Sequence, residues 1–416
     1  MSDGAEEDRG RSARCSGGEQ GVDAECSAVV FGDVGTSGSE ATTWRPETNF
    51  VRAHKADHNS ARDCRMRLVI LSGRRLGLQV NWTTLGPPLE DALGQMPEAT
   101  VVEAPAVRNG TLRAERPAWL AAIRTVRRAD VVFWMQMSSR PPGPVWALAY
   151  ARPTAKRAAV TIDAWEPVVQ KIGAVARAQR LSILFLFFRE AAIDLAQRWP
   201  ETHFEWLPFG YDGSTFCDLG LKRDIFAYWM GRRYEPLHRR LKAYCAARGL
   251  TYRYTKRGGE FPDPHDLNAV IARSRYFVVT PPNLDNPART GRYSPMMMRY
   301  LEGLGSGARL LGVIPNREEY DRMLSVEAIV RCEADGSDLE EALARDSADP
   351  LAEEKRRAAH QRVVNEHGWE RRAETIHARL TELVSVEGPA RRERPCPVAT
   401  PSMEFGRPRR SSTHSP

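Results

Sequence analysis

The chain has 416 residues, 42% apolar and 27% charged, with 60 basic groups against 53 acidic ones for a formal net charge of +7. That length corresponds to two to three ordinary domains and can bury two cores without disulfide or metal support, so a small stapled scaffold is excluded. Arginine supplies 53 of the basic groups and lysine only seven. No apolar run approaches the roughly 18 residues needed to span a bilayer; the longest, around Ile183 to Phe188, has the length of one buried strand. The first 30 residues are acidic and polar, without the basic start, apolar stretch and small-residue cleavage site of a signal peptide, so the expectation is a cytoplasmic protein. Cys15, Cys26, Cys64, Cys217, Cys245, Cys332 and Cys396 form no C-x-x-C pair and are odd in number, which predicts reduced thiols rather than a disulfide framework or zinc site.

Residues 1–65 are rich in Gly, Ser, Asp and Glu without a period of 2 or 3.6, the composition of a disordered extension. Periodicity begins at Met66, which makes Met66 an alternative natural start. Strands are predicted at Leu68–Leu71, Thr100–Glu103, Asp130–Met135, Ala158–Ile162, Ser182–Phe187 and Phe204–Leu207, with helical patterns between most of them. After the turn-rich stretch Pro208–Gly220 the rhythm restarts, with strands at Ile225–Trp229, Thr251–Tyr254, Tyr276–Thr280, Arg309–Ile314 and Ala328–Arg331. Helical stretches at 351–366 and 369–384 close the folded part, and 385–416 has the Pro, Arg and Ser content of a tail. The expected class is α/β, with two doubly wound Rossmann-like domains facing across a cleft, at 66–208 and 209–384, the second with closing helices. The basic excess lies in this folded part.

In the second domain, Ser294 and Pro295 suit the cap and first position of a helix, whose free N–H groups would attract an anion such as a diphosphate. Met297, Tyr300, Leu301 and Leu304 would form its buried stripe, leaving Arg299 and Glu302 on another face. Glu302 would then be free to accept two ribose hydroxyls. The alternative is a surface Arg299–Glu302 pair spaced i, i+3, contributing about 0.3 kcal/mol.

The run Glu302-Gly303-Leu304-Gly305-Ser306-Gly307 before an apolar strand resembles the Glu-Ala-x-Ala-x-Gly segment of group 1, family 4-like glycosyltransferases of GT-B fold. Leu207-Pro208-Phe209-Gly210-Tyr211-Asp212 with Phe216 is similar to the family's interdomain linker, Gly231-Arg232 to the opening of its second domain, and His367-Gly368-Trp369-Glu370 to its C-terminal segment. These motifs keep order and spacing from about 200 to 384, and Arg299 three residues before Glu302 looks closest to the spore-maturation-type subgroup. The resemblance implies transfer of a sugar from a nucleotide diphosphate sugar, a co-substrate rather than a permanently bound cofactor. The second domain would hold the donor and the first the acceptor.

Departing diphosphate requires fixed cations. Arg232 is the first candidate, with Arg239 or Arg240 where the family usually has lysine; a solvated basic face is the other reading. Eight positions before Glu302, where the family places a glutamate, stands Ser294, so either Arg292 and Tyr293 from the long loop Pro281–Tyr293 replace its contact or the donor sugar differs. In the first domain, Gly73-Arg74-Arg75-Leu76-Gly77 would admit an acceptor or phosphate close to the backbone, or is a plain strand-to-helix turn. Asp163 and Glu166 follow a predicted strand end on the cleft side; Asp163 is the candidate acceptor base or orienting group, or else caps the next helix. His203, His238, His265 and His367 are scattered singly and read as structural, while Asp263-Pro264-His265-Asp266 reads as a helix start. No metal is expected, since the arginines can take its place.

Nucleic-acid or polyanion binding is the competing class, from the basic excess and Tyr252-Arg253-Tyr254-Thr255-Lys256-Arg257, which strand alternation explains equally well. A catalytically silent GT-B module, and an epimerase or phosphorylase of the same architecture, are further alternatives. Peripheral membrane contact stays open, as do the donor base and sugar, the acceptor and the stereochemical outcome.

Overall fold

The computed structural model describes residues 66–76, 85–105, 112–137, 143–255, 263–314, 318–324, 327 and 329–385. The expected extension 1–65, the tail beyond Ser385, Gly77 and Lys256-Arg257 lie outside these residues. The first sheet contains β1 (Leu68–Ser72), β2 (Ala99–Glu103), β3 (Val131–Met137), β4 (Lys156–Ile162), β5 (Ile183–Leu186) and β6 (His203–Trp206). Between them run α1 (Gly86–Gly94), α2 (Leu112–Val126), α3 (Gly143–Ala149), α4 (Glu166–Ala178) and α5 (Arg189–Arg198). The strand order is β2-β1-β3-β4-β5-β6 and all pairs are parallel. Every residue of β1 and β5 is buried, which is why these strands read as unbroken apolar runs.

The second sheet contains β7 (Ile225–Trp229), β8 (Tyr252–Tyr254), β9 (Ser274–Val279), β10 (Arg309–Gly312) and β11 (Ile329–Arg331), in the parallel order β11-β10-β9-β7-β8. Its connections are α6 (Glu235–Ala247), α7 (Pro264–Ala272), the single turns α8 (Pro282–Asp285) and α9 (Pro287–Thr290), α10 (Met298–Gly305), α11 (Glu318–Met323) and α12 (Leu339–Ala348). Alternate residues face opposite cores. Ala227, Trp229, Tyr276, Val278 and Leu311 pack with Leu237, Leu241 and Leu343, whereas Tyr228, Phe277, Val279 and Leu310 join the larger cluster with Leu301, Leu304 and the first lobe. The two parallel sheets are the α/β arrangement expected from the sequence. Asp263 caps α7 by accepting from the His265 N–H at 2.8 Å, as its Asp-Pro pair predicts. Cys217, Cys245 and Cys332 are free thiols.

One helix start differs from expectation. Residues 294–297 do not form a first turn on Ser294 and Pro295; α10 begins at Met298, with extended Met297 at its cap. The reason is that other elements anchor this segment and take the carbonyls a first turn would use. The Ser294 N–H is taken by Glu190 Oε1 at 3.1 Å and the Met296 N–H by Glu319 Oε1 at 3.1 Å, while the Tyr320 hydroxyl donates to the carbonyls of Ser294 and Pro295. Met297 is consequently only half-buried, whereas Tyr300, Leu301 and Leu304 are fully inside.

The chain ends its described part by returning to the first lobe. After α13 (Ala352–Glu366), α14 (Trp369–Ser385) packs along α1. Trp369 meets Phe187 edge-on at 5.9 Å, and Phe187 stacks on Phe209 at 4.5 Å. Buried Arg372 donates to the Pro208 and Phe209 carbonyls at 2.9 and 3.0 Å and to His367 Nδ1 at 2.9 Å; His367 Nε2 donates to the Met323 carbonyl at 2.8 Å. Burial, reinforced by Arg372, pushes His367 down to about 4, so it stays neutral and suits this relay. His367 is structural, as expected. Arg372→Met would leave these linker carbonyls buried without donors and should destabilise the fold by about 3 kcal/mol. Urea unfolding monitored by tryptophan fluorescence would read this as a lowered midpoint, and an unchanged midpoint would refute it.

Candidate active site

Each sheet reverses its winding once, between β1 and β3 in the first lobe and between β7 and β9 in the second. Ligands of open α/β sheets lie outside the carboxyl ends of the strands at such reversals. In the second lobe the turn after β7 carries Gly231 at φ +78° and exposed Arg232, whose carbonyl accepts from Trp229 Nε1 at 3.1 Å. Gly231 lies against α10: a Cβ at this position would sit 3.7 Å from Arg299 Nη2.

Glu302 lies on the same helix and is 5% exposed. The surface-pair alternative for Arg299 and Glu302 is therefore excluded. Burial pushes the Glu302 carboxyl up to about 7, with Arg299 opposing the rise and the charge of Asp212 adding to it. The helix comes close to the linker because Gly305 has no side chain; a Cβ there would lie 2.5 Å from the Tyr211 ring. Gly231, Arg299 and Glu302 thus form one group, built from the β7 turn and the first turns of α10. Its chemistry is that of a buried acceptor beside a guanidinium at a helix N-terminus.

A second group joins the two lobes. Asp163, at the end of β4, adopts φ +56°, a left-handed conformation unusual for a residue other than glycine. Its carboxylate accepts from Arg289 Nη2 at 2.7 Å, and Trp165 rather than Asp163 occupies the cap of α4. Glu166, the first residue of α4, accepts from the Arg292 backbone N–H at 2.5 Å and from Arg292 Nε at 2.6 Å. The Tyr293 hydroxyl donates to Asp194, which lies on α5, and the Ser294 N–H donates to Glu190 in its first turn. Asp163, Glu166, Arg292, Tyr293 and Ser294 are therefore gathered into one seam. Ser294 itself is buried, and its Oγ has no hydrogen-bond partner in the structure.

Other candidates lie elsewhere. Arg239 is 72% exposed and pairs with Glu235 on its own helix at 3.7 Å, and Arg240 packs beside Gly336. Gly73 accepts from the Leu76 N–H in a short turn after β1. Its neighbour Arg74 is held by Glu90 at 2.8 Å and Asp91 at 2.7 Å, and Ser72 Oγ donates to the same buried Glu90 at 2.7 Å. This network stiffens the turn. Sequence reasoning missed Glu90, Arg289, Glu190, Asp194 and Glu319. Arg289 had a signal, since it lies in the long loop already singled out, but the four carboxylates belong to ordinary helical patterns.

A cavity of about 800 Å³ opens on the linker side, between α1, residues 211–218 and the junction of α13 and α14, with Asp212 on its wall. Among the described residues no group of three His, Cys, Asp or Glu is placed to hold a metal ion, and no helix is long and apolar enough to cross a membrane.

Residues 230–378 match the model of a family described as glycosyl transferase-like, a stretch that begins at the β7 turn and contains Arg299, Glu302 and Trp369. The sequence has no match among curated proteins. Among solved structures, sucrose-phosphate synthase from Thermosynechococcus elongatus is similar at 12% identity and a TM-score of 0.45, over 77% of this chain and 100% of that one. A glycosyltransferase from Rickettsia africae gives 10% identity and a TM-score of 0.44, over 77% and 99%. A putative UDP-N-acetylglucosamine 2-epimerase from Listeria monocytogenes gives 13% and 0.42, over 77% and 97%.

The raised carboxyl of Glu302 has a signed consequence for stability. Its protonated form favours the folded chain, a contribution complete below its ordinary value of 4.5 and lost as pH rises through about 7. Glu302→Gln keeps a neutral side chain of the same shape. Between pH 5 and 8 the wild type should lose about 3 kcal/mol relative to this variant. Parallel urea curves at the two pH values would expose a constant difference, which would contradict the assignment.

Proposed function

We propose that the protein is a glycosyltransferase that moves a sugar, a hexose or a close relative, from a nucleotide diphosphate sugar to an acceptor. The observation that carries this reading is buried Glu302 beside Arg299 and the Gly231 turn, at the start of α10. The family match over residues 230–378 supports it, and the compact Arg299-x-x-Glu302 spacing favours the spore-maturation-type subgroup. Residues 209–384 hold the donor and 66–208 the acceptor. Glu302 accepts the ribose hydroxyls. The diphosphate lies over the N-terminus of α10, where backbone N–H groups, Arg299 and exposed Arg232 face its charge.

In the reaction the bond from the anomeric carbon to the diphosphate oxygen breaks, and its electron pair leaves on the diphosphate. The acceptor oxygen forms the new bond to that carbon, and its proton passes to Asp163. Cations and N–H groups aimed at the leaving oxygens stabilise charge that develops only as the bond breaks, so they lower the barrier without needing a metal. We place Arg239 and Arg240 outside this chemistry, because their neighbours are Glu235 and Gly336. The enzyme is read as cytoplasmic.

A thermal-shift screen of the full chain with UDP, GDP, TDP and ADP tests the reading. At 100 times its Kd, one of them should stabilise the fold by about 2.7 kcal/mol. Glu302→Ala should weaken that nucleotide at least about tenfold, the loss of one or two buried hydrogen bonds. Absence of any shift, or full affinity in Glu302→Ala, would overturn it.

A further inference from the structure

The segment that follows β9 is tied to the first lobe by its charged and polar groups. Arg289 meets Asp163, Arg292 meets Glu166, the Tyr293 hydroxyl meets Asp194 and the Ser294 N–H meets Glu190. All four carboxylates sit at or just beyond the carboxyl ends of β4 and β5 or in the opening turns of α4 and α5, the edge of the first sheet on which a ligand would lie. The segment then runs extended into the N-terminus of α10.

Arg292 makes the most informative of these contacts. One carboxylate oxygen of Glu166 takes the Arg292 backbone N–H, and the other takes Nε at 2.6 Å and Nη2 at 2.5 Å. A backbone N–H and a guanidinium converging on two oxygens form an anion receptor, suited to a phosphoryl group as well as to a carboxylate. Gly291 makes the receptor possible. It adopts φ +62°, and a Cβ there would overlap the Glu166 side chain. Arg292 is nevertheless 85% exposed, so the pair is solvent-screened and its carboxylate is exchangeable.

The geometry points to an internal competitor: Glu166 occupies a phosphoryl-binding position on the strap Pro287–Ser294, and the donor's diphosphate displaces it. This inference rests on the donor reading given above and adds how donor entry acts on the acceptor side. When one phosphoryl group of the diphosphate seated over α10 takes the Arg292 guanidinium and N–H, on the strap that leads into that helix, Glu166 is released and the strap loses one of its ties to the first lobe. Arg289 lies three residues away on the same strap and covers Asp163. Loss of the Glu166 tie therefore loosens the strap that carries the Arg289 contact to the carboxylate assigned to the acceptor, while the Arg289, Tyr293 and Ser294 ties hold it to the first lobe.

Isothermal titration of the full chain with inorganic pyrophosphate tests the competition. Glu166→Gln keeps an acceptor for the Arg292 N–H but removes the charge; it should bind pyrophosphate about five- to tenfold tighter than wild type, the scale of one screened charge contact. Arg292→Ala should bind it several-fold more weakly than wild type. Melting curves of both variants matching the wild type would show that the fold is intact. Pyrophosphate binding no tighter in Glu166→Gln, or undiminished in Arg292→Ala, overturns the strap. If nucleotide binding still depends on Glu302 in that case, the functional reading survives alone; if wild type binds neither pyrophosphate nor any nucleoside diphosphate, both fall.

Discussion

Much of the structure depends on the buried guanidinium of Arg372. It stands on the last helix of the described chain, yet its hydrogen bonds go to the carbonyls of Pro208 and Phe209, where the chain leaves the first lobe. A cation only 7% exposed is tolerated because carbonyl oxygens and the neutral His367 ring surround it. The aromatic stack of Phe187, Phe209 and Trp369 excludes water from the same point. The linker is thereby clamped between Phe187, just past β5, and α14. Its fixed course brings Tyr211 against Gly305, and so sets where α10 and Glu302 stand.

Glu302 shows what that placement costs. A carboxyl buried beside one guanidinium, with Asp212 raising its proton affinity, destabilises the ligand-free fold near neutral pH. A strained or destabilised group held by surrounding packing is a common property of binding sites, where a ligand supplies the missing partner. Asp163, in a left-handed backbone conformation at the end of β4, is the matching feature of the first lobe. Asp163 stands at the carboxyl end of β4 and Gly231, beside Arg299 of the Glu302 helix, follows that of β7, the edges where ligands of doubly wound sheets lie.

Arginine in place of lysine affects the seam more than the net charge does. The contact between Arg292 and Glu166 uses Nε and Nη2 of one planar group, which an ammonium ion cannot reproduce. The strap is consequently oriented as well as attracted. The segment 294–297 is extended because Glu190 and Glu319 anchor its N–H groups and Tyr320 takes the Ser294 and Pro295 carbonyls that a first helical turn would use.

The α/β class and all eleven strands were legible in the sequence, because buried strands such as β1 and β5 give apolar runs, the half-exposed β2 and β8 keep β-branched or aromatic residues, and the connecting helices give the longer period. The proximity of Arg299 and Glu302 was legible too, since helical spacing is local. The burial of Glu302 and the shift of its carboxyl were not: Asp212, about 90 residues away in sequence, acts on its charge, and Tyr211 packs on Gly305 of the same helix. Local signals likewise placed a helix start at Ser294, and Tyr320, with Glu190 and Glu319, overrode them through distant hydrogen bonds. Sequence alone thus determined the elements, whose stability rests on neighbours along the chain. Only the tertiary structure decided which charges are buried, paired or left facing solvent, because those states depend on groups from other elements that close around them.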